Sequence, residues 1–543
     1  MARAASGATL HASSRAFFLT VAGLALAVRL VHLASFSTAT PFFDPAPWNT
    51  PASPMEPGRV DLWGMQIVHG DPWWTDHGSP FHSPVYPYFV AGIYWIMGGR
   101  SVFGVARVQA LLGALTCALI GLLARRLISP TWGWVAALAA AFYAPSIFYG
   151  SFLLREPLAT FLATAALFVS LNTFGPRLEE RKEARWLAWI GTGVVWGAAV
   201  AAWPLVALVA GVTAAWAGWR VRRHIECSWR AALVASGLLV CGMGLAIVPC
   251  TLRNVVGEGR FVLISDAGSE GWALGNSMGS NGTRVEHPGV RRSPATRGFW
   301  ILYAQKIRLF LEARELPDAT DYELLKEDSP VLAGPLPAFG FAVPFALVGL
   351  LASRGRWREW LPLHAMGVLY PLNVAAFFVV GRHRLVWMPA LIFFGVVAAA
   401  TLRNGTTLLK GAGTWAVRSR VAVAILFLGW MANPDRPVTQ DVAPFQAAFA
   451  RYHADRGDAA ISNGRAREAL DAFHQVLRVP ARRYQGLGHT GLAGVYLGLL
   501  NRPDLALQEM RRSLEADPDQ PEAERAREVI RRLEARVKQA PPS

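Results

Sequence analysis

Carboxylates and arginines gather where the apolar segments of this chain end, and those ends are where its chemistry is to be sought. Asp44, Glu56 and Asp61 follow the first apolar segment in a stretch rich in proline and tryptophan, and Glu156 lies at the mouth of a later one. Arg253 and Asn254 stand just beyond another, and Arg382, His383 and Arg384 fill a tight turn between two more. Ionisable groups at such depths are costly and usually face a cavity or each other. A carboxylate opposite guanidinium groups suits transfer of a group from a phosphate. The carboxylate takes a proton from the acceptor, and the cations hold the departing phosphate. Blander readings compete with this one. Arg155 and Glu156 are adjacent and can form a structural ion pair, and the turn arginines can meet phospholipid headgroups. Asp71 and Asp76, among Trp63, Trp73 and Trp74, read as a solvated interfacial loop.

The elements that must position these residues are apolar. The 543 residues are 53% hydrophobic and only 17% charged, with a mean hydropathy of +0.29, too apolar for an ordinary soluble enzyme. The sequence predicts an all-α, polytopic membrane bundle of about eleven spans: 17–35, 102–124, 131–149, 152–173, 186–202, 204–219, 231–250, 336–352, 361–380, 385–402 and 419–433. With the N-terminus inside, the basic residues at 125–126, 177–185, 220–230, 354–358 and 403–420 all fall in the cytoplasm. The long segments of about 36–101 and 251–335, and everything after about 434, are then extracytoplasmic. The net charge of +16 is mostly this orientation signal. No basic stripe with interleaved aromatics suggests nucleic-acid binding. The first segment also has features of a signal peptide, but Arg29 near its outer end suits a retained span in a bundle. Cys117, Cys227, Cys241 and Cys250 show no ligand spacing.

The chain divides into a membrane domain, 1–435, and a charged, alanine-rich C-terminal domain, 445–540. In the latter, Ala469-Leu470 followed by Pro480, and Ala506-Leu507 followed by Pro518, recur at about 37 residues with helical spacing between. This looks like degenerate tetratricopeptide repeats, with a plain helical hairpin as the alternative. Residues 522–538 read as a polar capping helix.

Several stretches together resemble the GT-C superfamily of membrane glycosyltransferases, in the branch of the protein O-mannosyltransferases and the lipid A aminoarabinose transferase. They are AVRLVHL, DLWGMQIVHGDPWW, SPVYPYFVAGIYWIMGG from Ser83, ARVQALLGALTCALIGLLARR from Ala106 and FYAPSIFYGSFLLREPLATFLATAALF. LRNVVGEGRFVLIS, GNSMGSNG, the stretch 306–318 and GRHRLVWMPAL follow in the same order, so the likeness covers most of 16–402.

The resemblance implies a polyprenyl-phosphate-sugar donor and transfer to an acceptor hydroxyl at an extracytoplasmic site. The family places an Asp, as base, four residues before a Tyr in the first outward loop. Aligning Val60 with that Tyr puts Glu56 in the Asp position, and the absence of the Tyr leaves Asp61 as rival and Asp44 third. Where relatives have a phosphate-binding Lys, this chain reads His82-Ser83-Pro84, which shifts that role to Arg253, Arg382 and Arg384, with His383 as a donor. Glu156 matches the family's acidic residue at the fourth span. Lys306 and Glu315 fall in the family's second loop, and Asn276 is placed to contact donor or acceptor. No metal site is expected from the spacing, although a divalent ion bridging Glu56 or Asp61 to the phosphate is compatible with it.

The expected partners are the lipid-linked donor, a lipid, glycan or protein acceptor, the membrane, and a protein partner for the repeats. Two other classes are weighed. A lipid-linked saccharide transporter would more typically show pseudo-symmetric halves and broken midplane helices, and a membrane-anchored repeat scaffold would not need eleven spans. The Ala-, Arg- and Trp-rich, Lys-poor composition suits a bacterial inner membrane with the site and repeats in the periplasm.

Overall fold

The structure is a computed structural model, and it describes residues 2–39, 56–75, 83–175, 185–226, 228–284, 289–404, 414–432 and 443–539. Asp44 lies outside the described residues, as do Asp76, His82 and Cys227. Among the described residues the chain is helical, with one isolated antiparallel bridge, Ser277 with Arg291.

The helices of the first half are α1 (Ala2–Ala39), α2 (Glu56–Val68), α3 (Val85–Ile96), α4 (Val102–Leu127), α5 (Pro130–Ala141), α6 (Ala144–Tyr149), α7 (Glu156–Phe174), α8 (Arg185–Ala202), α9 (Ala207–Val221) and α10 (Trp229–Glu258). They are followed by α11 (Ala267–Asn276), α12 (Arg297–Leu311), α13 (Tyr322–Leu325), α14 (Phe339–Ala352), α15 (Leu361–Ala376), α16 (Met388–Asn404) and α17 (Thr414–Ala432). Five more close the chain: α18 (Pro444–Ser462), α19 (Ala466–Leu477), α20 (Arg482–Gly498), α21 (Pro503–Ala516) and α22 (Ala523–Gln539).

Among the described residues, six stretches are long and apolar enough to cross a membrane: Ser14–Ser37, Val102–Leu127, Glu156–Phe174, Pro204–His224, Trp229–Glu258 and Gly381–Arg403. Shorter apolar helices lie at Val85–Ile96, Trp186–Ala202, Leu361–Ala376 and Ser419–Gly429. The fold is an all-α polytopic membrane bundle, and every predicted span overlaps a helix, although 152–155, 336–338 and 377–380 lie outside the helices. Other details also differ from expectation. The predicted span 131–149 is two helices, α5 and α6, because Pro145 in the first turn of α6 has no N–H to continue the preceding ladder. The outward segment 36–101 is more than a loop, since it folds α2 and α3 and packs them on each other.

The chain forms two compact units. Unit 1 comprises Met1–Leu316 and Leu325–Asp435, and unit 2 comprises Pro317–Leu324 and Arg436–Ser543. In unit 1, α8 packs on α10 through glycine. Gly193 and Gly197 form a GxxxG pair on α8. A Cβ on Gly193 would press into the Leu239 carbonyl, one on Gly197 into the Met243 backbone, and one on Gly242 into the Ile190 carbonyl. The helices therefore touch backbone to backbone, as small residues permit inside a membrane. Helix α10 has Ser228 as N-cap, its Oγ accepting from Arg230 N at 3.2 Å, and ends at Gly259 with φ +65°. Its 30 residues extend about 45 Å, beyond a hydrocarbon core of about 30 Å, so its last turns with Arg253 and Asn254 emerge from the apolar layer.

Arg29 on α1 is buried and joins three helices. Its Nη1 donates to the Ala25 and Ala141 carbonyls at 3.1 and 3.3 Å, and its Nη2 donates to Ser146 Oγ at 3.1 Å and Cys117 Sγ at 3.4 Å. In unit 2 the helices α18 to α22 pack each on the next. Phe473, 1% exposed, fills the space that side chains on Gly457 and Gly491 would occupy.

Replacing Gly193 by Val should separate α8 from α10 and cost about 1–3 kcal/mol. A lowered thermal midpoint of detergent-purified protein checks it, with Gly191→Val, which meets nothing within 4 Å, as the control that stays near wild type.

Candidate functional site

The residues singled out in the sequence gather mostly around one turn, between the end of α15 and the start of α16. Helix α15 contains Pro371 and stops at Ala376, and a 3-10 turn over Gly381–Trp387 leads into α16. Gly381 is required where it stands. A Cβ there would lie 2.5 Å from the Tyr149 hydroxyl, 3.0 Å from the Leu316 carbonyl, and closer still to Glu315 Oε2.

Nearly every residue of the turn is tied to another element. Asn276 Nδ2 donates to the Ala376 carbonyl at 2.9 Å and to Trp272 O at 3.1 Å, and its Oδ1 accepts from Lys306 Nζ at 2.7 Å. The same ammonium donates to Phe377 O at 2.5 Å. Val379 N donates to Gly282 O at 3.1 Å and Gly381 N to Leu316 O at 2.9 Å. Tyr149 OH donates to Glu315 Oε2 at 3.2 Å. Arg382 Nη1 meets Glu156 Oε1 at 2.7 Å, the two side chains 4% and 0% exposed. His383 lies between Trp203 and Phe378, each ring 5.2 Å away, and Tyr370 OH donates to its carbonyl at 2.6 Å. Arg384 donates to the Glu312 and Arg314 carbonyls at 2.9 and 2.7 Å, and also to Leu309 O. It thus caps the C-terminus of α12, where carbonyls lack helical partners. Asn276, Lys306, Glu315, Glu156, Arg382, His383 and Arg384 are therefore brought to one buried turn.

The other candidates stand in separate contacts. Arg253 donates to Trp73 O at 3.2 Å, to Trp74 O, to Asn254 Oδ1 at 3.1 Å and to Glu258 Oε1 at 3.3 Å, and it lies 4.4 Å from the Trp74 ring. Trp74 has φ +52°, sparsely populated for a residue with a side chain, and Arg253 is the clamp that holds it there. Asn254 Nδ2 donates to the Val262 and Ile264 carbonyls at 2.9 and 3.0 Å and so pins the chain leaving α10. Asp61 is buried on α2. Its Oδ1 accepts from Tyr94 OH at 2.6 Å, and both oxygens accept from Arg100 Nε at 3.0 and 2.9 Å. Glu56 opens α2, and its side chain lies outside the described residues.

Electrostatics add a group that the sequence reading passed over. Burial raises the Glu270 carboxyl, on α11, above its ordinary range, and the Arg284 and Arg59 guanidiniums oppose that rise. These residues are far apart in sequence and carry no spacing signal. Arg59 lies three residues after Glu56 on α2. Lys306 is shifted from 10.5 down to about 7, first by burial and then by the positive charge of Arg292. Among the described residues no three His, Cys, Asp or Glu side chains converge as metal ligands.

Two predictions follow from this geometry. Glu156→Leu or Arg382→Met alone strands a buried charge and should cost about 3–5 kcal/mol, whereas the double variant should recover much of the loss. Thermal midpoints around this double-mutant cycle check it. Because the folded-state pKa of Lys306 is depressed, its contribution to stability is full above about 10.5 and is lost as pH falls toward about 7. The melting temperature of wild type should decline more steeply over that window than that of Lys306→Met, and parallel profiles would contradict the assignment.

Residues 81–245 match the family described as dolichyl-phosphate-mannose-protein mannosyltransferase. No curated protein sequence matches the chain. Among solved structures, ArnT from Cupriavidus metallidurans bound to undecaprenyl phosphate is 15% identical, with 95% of this chain and 77% of that one covered and a TM-score of 0.42. The apo form of the same protein gives 14% identity, 88% and 73% coverage and a TM-score of 0.39. The apo oligosaccharyltransferase of Archaeoglobus fulgidus is 14% identical, with 81% of this chain covered and a TM-score of 0.39, and this chain spans only 57% of its length. At these scores the solved structures supply no residue-by-residue correspondence. The family likeness is thus carried by residues 81–245, less than half of the chain.

Proposed function

We propose that the protein transfers a sugar from a polyprenyl-phosphate-linked donor to an acceptor hydroxyl at the extracytoplasmic face of the membrane. The observation that carries the reading is the family match over residues 81–245, and the buried charged turn at 376–384 supports it. The acceptor is a lipid, a glycan or a protein. The distribution of Lys and Arg supports a cytoplasmic N-terminus, with the site and the C-terminal helices outside, in a bacterial inner membrane. The C-terminal helices are read as tetratricopeptide-like repeats.

In an inverting transfer a carboxylate takes the proton from the acceptor hydroxyl as that oxygen attacks the anomeric carbon, and the bond to phosphate breaks with its electron pair on the phosphate. Glu56 is assigned as the base. Asp61 is the weaker choice, because both of its oxygens are already engaged by Arg100 and one also by Tyr94. The Arg59 and Arg284 guanidiniums, whose charge reaches Glu270 alongside that of Asp266, support a phosphate subsite near α2 and α11. Arg384 donates to main-chain carbonyls, Arg253 to the Trp73 and Trp74 carbonyls and to the Asn254 and Glu258 side chains, and Arg382 meets Glu156, so these three are assigned to shaping the site. Glu156, Glu315 and Asn276 fix the turn and the second loop, and His383 is held by its aromatic neighbours.

The test is transfer of radiolabelled sugar by purified protein from a panel of polyprenyl-phosphate sugars to a membrane-extract acceptor pool. Glu56→Gln should lose about a hundred- to ten-thousandfold in rate with donor binding retained. Asp61→Asn should chiefly lower the thermal midpoint. Retained transfer in Glu56→Gln would reject the base, and binding of lipid-linked sugar without transfer from any donor would favour a transporter.

A further inference from the structure

Eight residues of the second long segment, Pro317–Leu324, cluster with the C-terminal helices and not with the membrane helices that precede and follow them. Asp318, Ala319, Thr320, Asp321, Tyr322 and Leu324 are all buried. The attachment is specific. Gln446, in the first turn of α18, uses both ends of its amide: Oε1 accepts from the Ala443 N–H at 3.3 Å, and Nε2 donates to Asp321 Oδ2 at 2.7 Å. Asp321 Oδ1 accepts from the Leu324 N–H at 3.1 Å, closing a turn. Arg478, at the end of α19, donates to Leu324 O and to Gln475 Oε1, with its guanidinium 5.9 Å from the Phe449 ring. Burial pushes the Asp321 carboxyl above its ordinary range, and the Gln446 hydrogen bond opposes the shift.

On its other side the segment is continuous with the site. Leu316, the residue before it, accepts from the Gly381 N–H, and Glu315 lies against Gly381 and Tyr149. The carbonyls of Leu309, Glu312 and Arg314, just upstream, are those that Arg384 holds.

We propose that Gln446, Asp321 and Arg478 are positioning residues, by which the first two helices of the C-terminal unit clasp the second loop and hold Glu315 and the end of α12 in place. The clasp concerns where the loop lies, so it goes beyond glycosyl transfer and does not depend on which group the site moves. The C-terminal helices then have a ligand within their own compact unit, the acidic turn at Pro317–Leu324.

Hydrogen exchange on the full-length protein in detergent tests this without any substrate. Q446E keeps an acceptor for the Ala443 N–H but sets a carboxylate against Asp321. Exchange in 318–324 should rise at least about tenfold and spread to 309–316, while α20 to α22 stay protected. The effect should shrink as pH falls and the carboxyl pair takes up a proton. D321N/Q446E exchanges amide and carboxylate between the two positions and should restore protection in both segments. Unchanged exchange in 318–324, or loosening of 318–324 that never reaches 309–316, would overturn the proposal. Loss of protection throughout α20 to α22 that the double variant does not repair would overturn it as well.

Discussion

Arg382 and Glu156 hold each other at 2.7 Å with almost no access to solvent, and the turn at 376–384 is built around that contact. Removing two charges from water costs several kcal/mol per ion unless geometry and further hydrogen bonds compensate. The arrangement is therefore over-determined. Gly381 leaves room for Glu315 and Tyr149, Lys306 and Asn276 satisfy the main chain at the end of α15, and Arg384 satisfies the end of α12. One short turn thus fixes α7, α12, α15 and α16 together, and a change at any member is felt by the others.

A second consequence concerns the cations. Arginines outside the apolar layer look like phosphate ligands when only their types and positions are known. In the folded chain Arg253 and Arg384 act as braces, one holding Trp74 at positive φ and the other capping a helix. Rigid placement of a loop contributes to catalysis by fixing the reacting groups before they meet, so an arginine that never touches substrate can still matter to rate. The less conspicuous residues Arg59, Arg284 and Glu270, on α2, in a loop and on α11, form a further charged group.

Hydropathy made the helical spans legible, since each carries its own signal in a continuous run of residues. The burial of Arg29 was legible too, because a cation near the end of an apolar run has few other places to go. The break between α5 and α6 was written in Pro145, although a continuous apolar run conceals it. Partners distant in sequence were not legible. Asp61 meets Arg100 39 residues away and Glu156 meets Arg382 226 residues away, and no spacing rule links them. The acceptors of Arg384, and two of those of Arg253, are main-chain carbonyls, which every residue has, so side-chain types give no hint of them. The membership of Pro317–Leu324 in the C-terminal unit was hidden for the same reason, because a domain made of two stretches of chain has no local signature.

That discontinuity has a consequence during synthesis. Asp321 leaves the ribosome 125 residues before Gln446, its partner at 2.7 Å. At ordinary elongation rates of about 5–20 residues per second the acidic turn waits on the order of ten seconds for the helix that will hold it. Four further helices, α14, α15, α16 and α17, must be made within the same interval. The last folding event of the membrane domain's second loop is therefore timed by the C-terminal helices, so a ribosome that stalls before α18 leaves the loop's acidic turn without the helix that buries it.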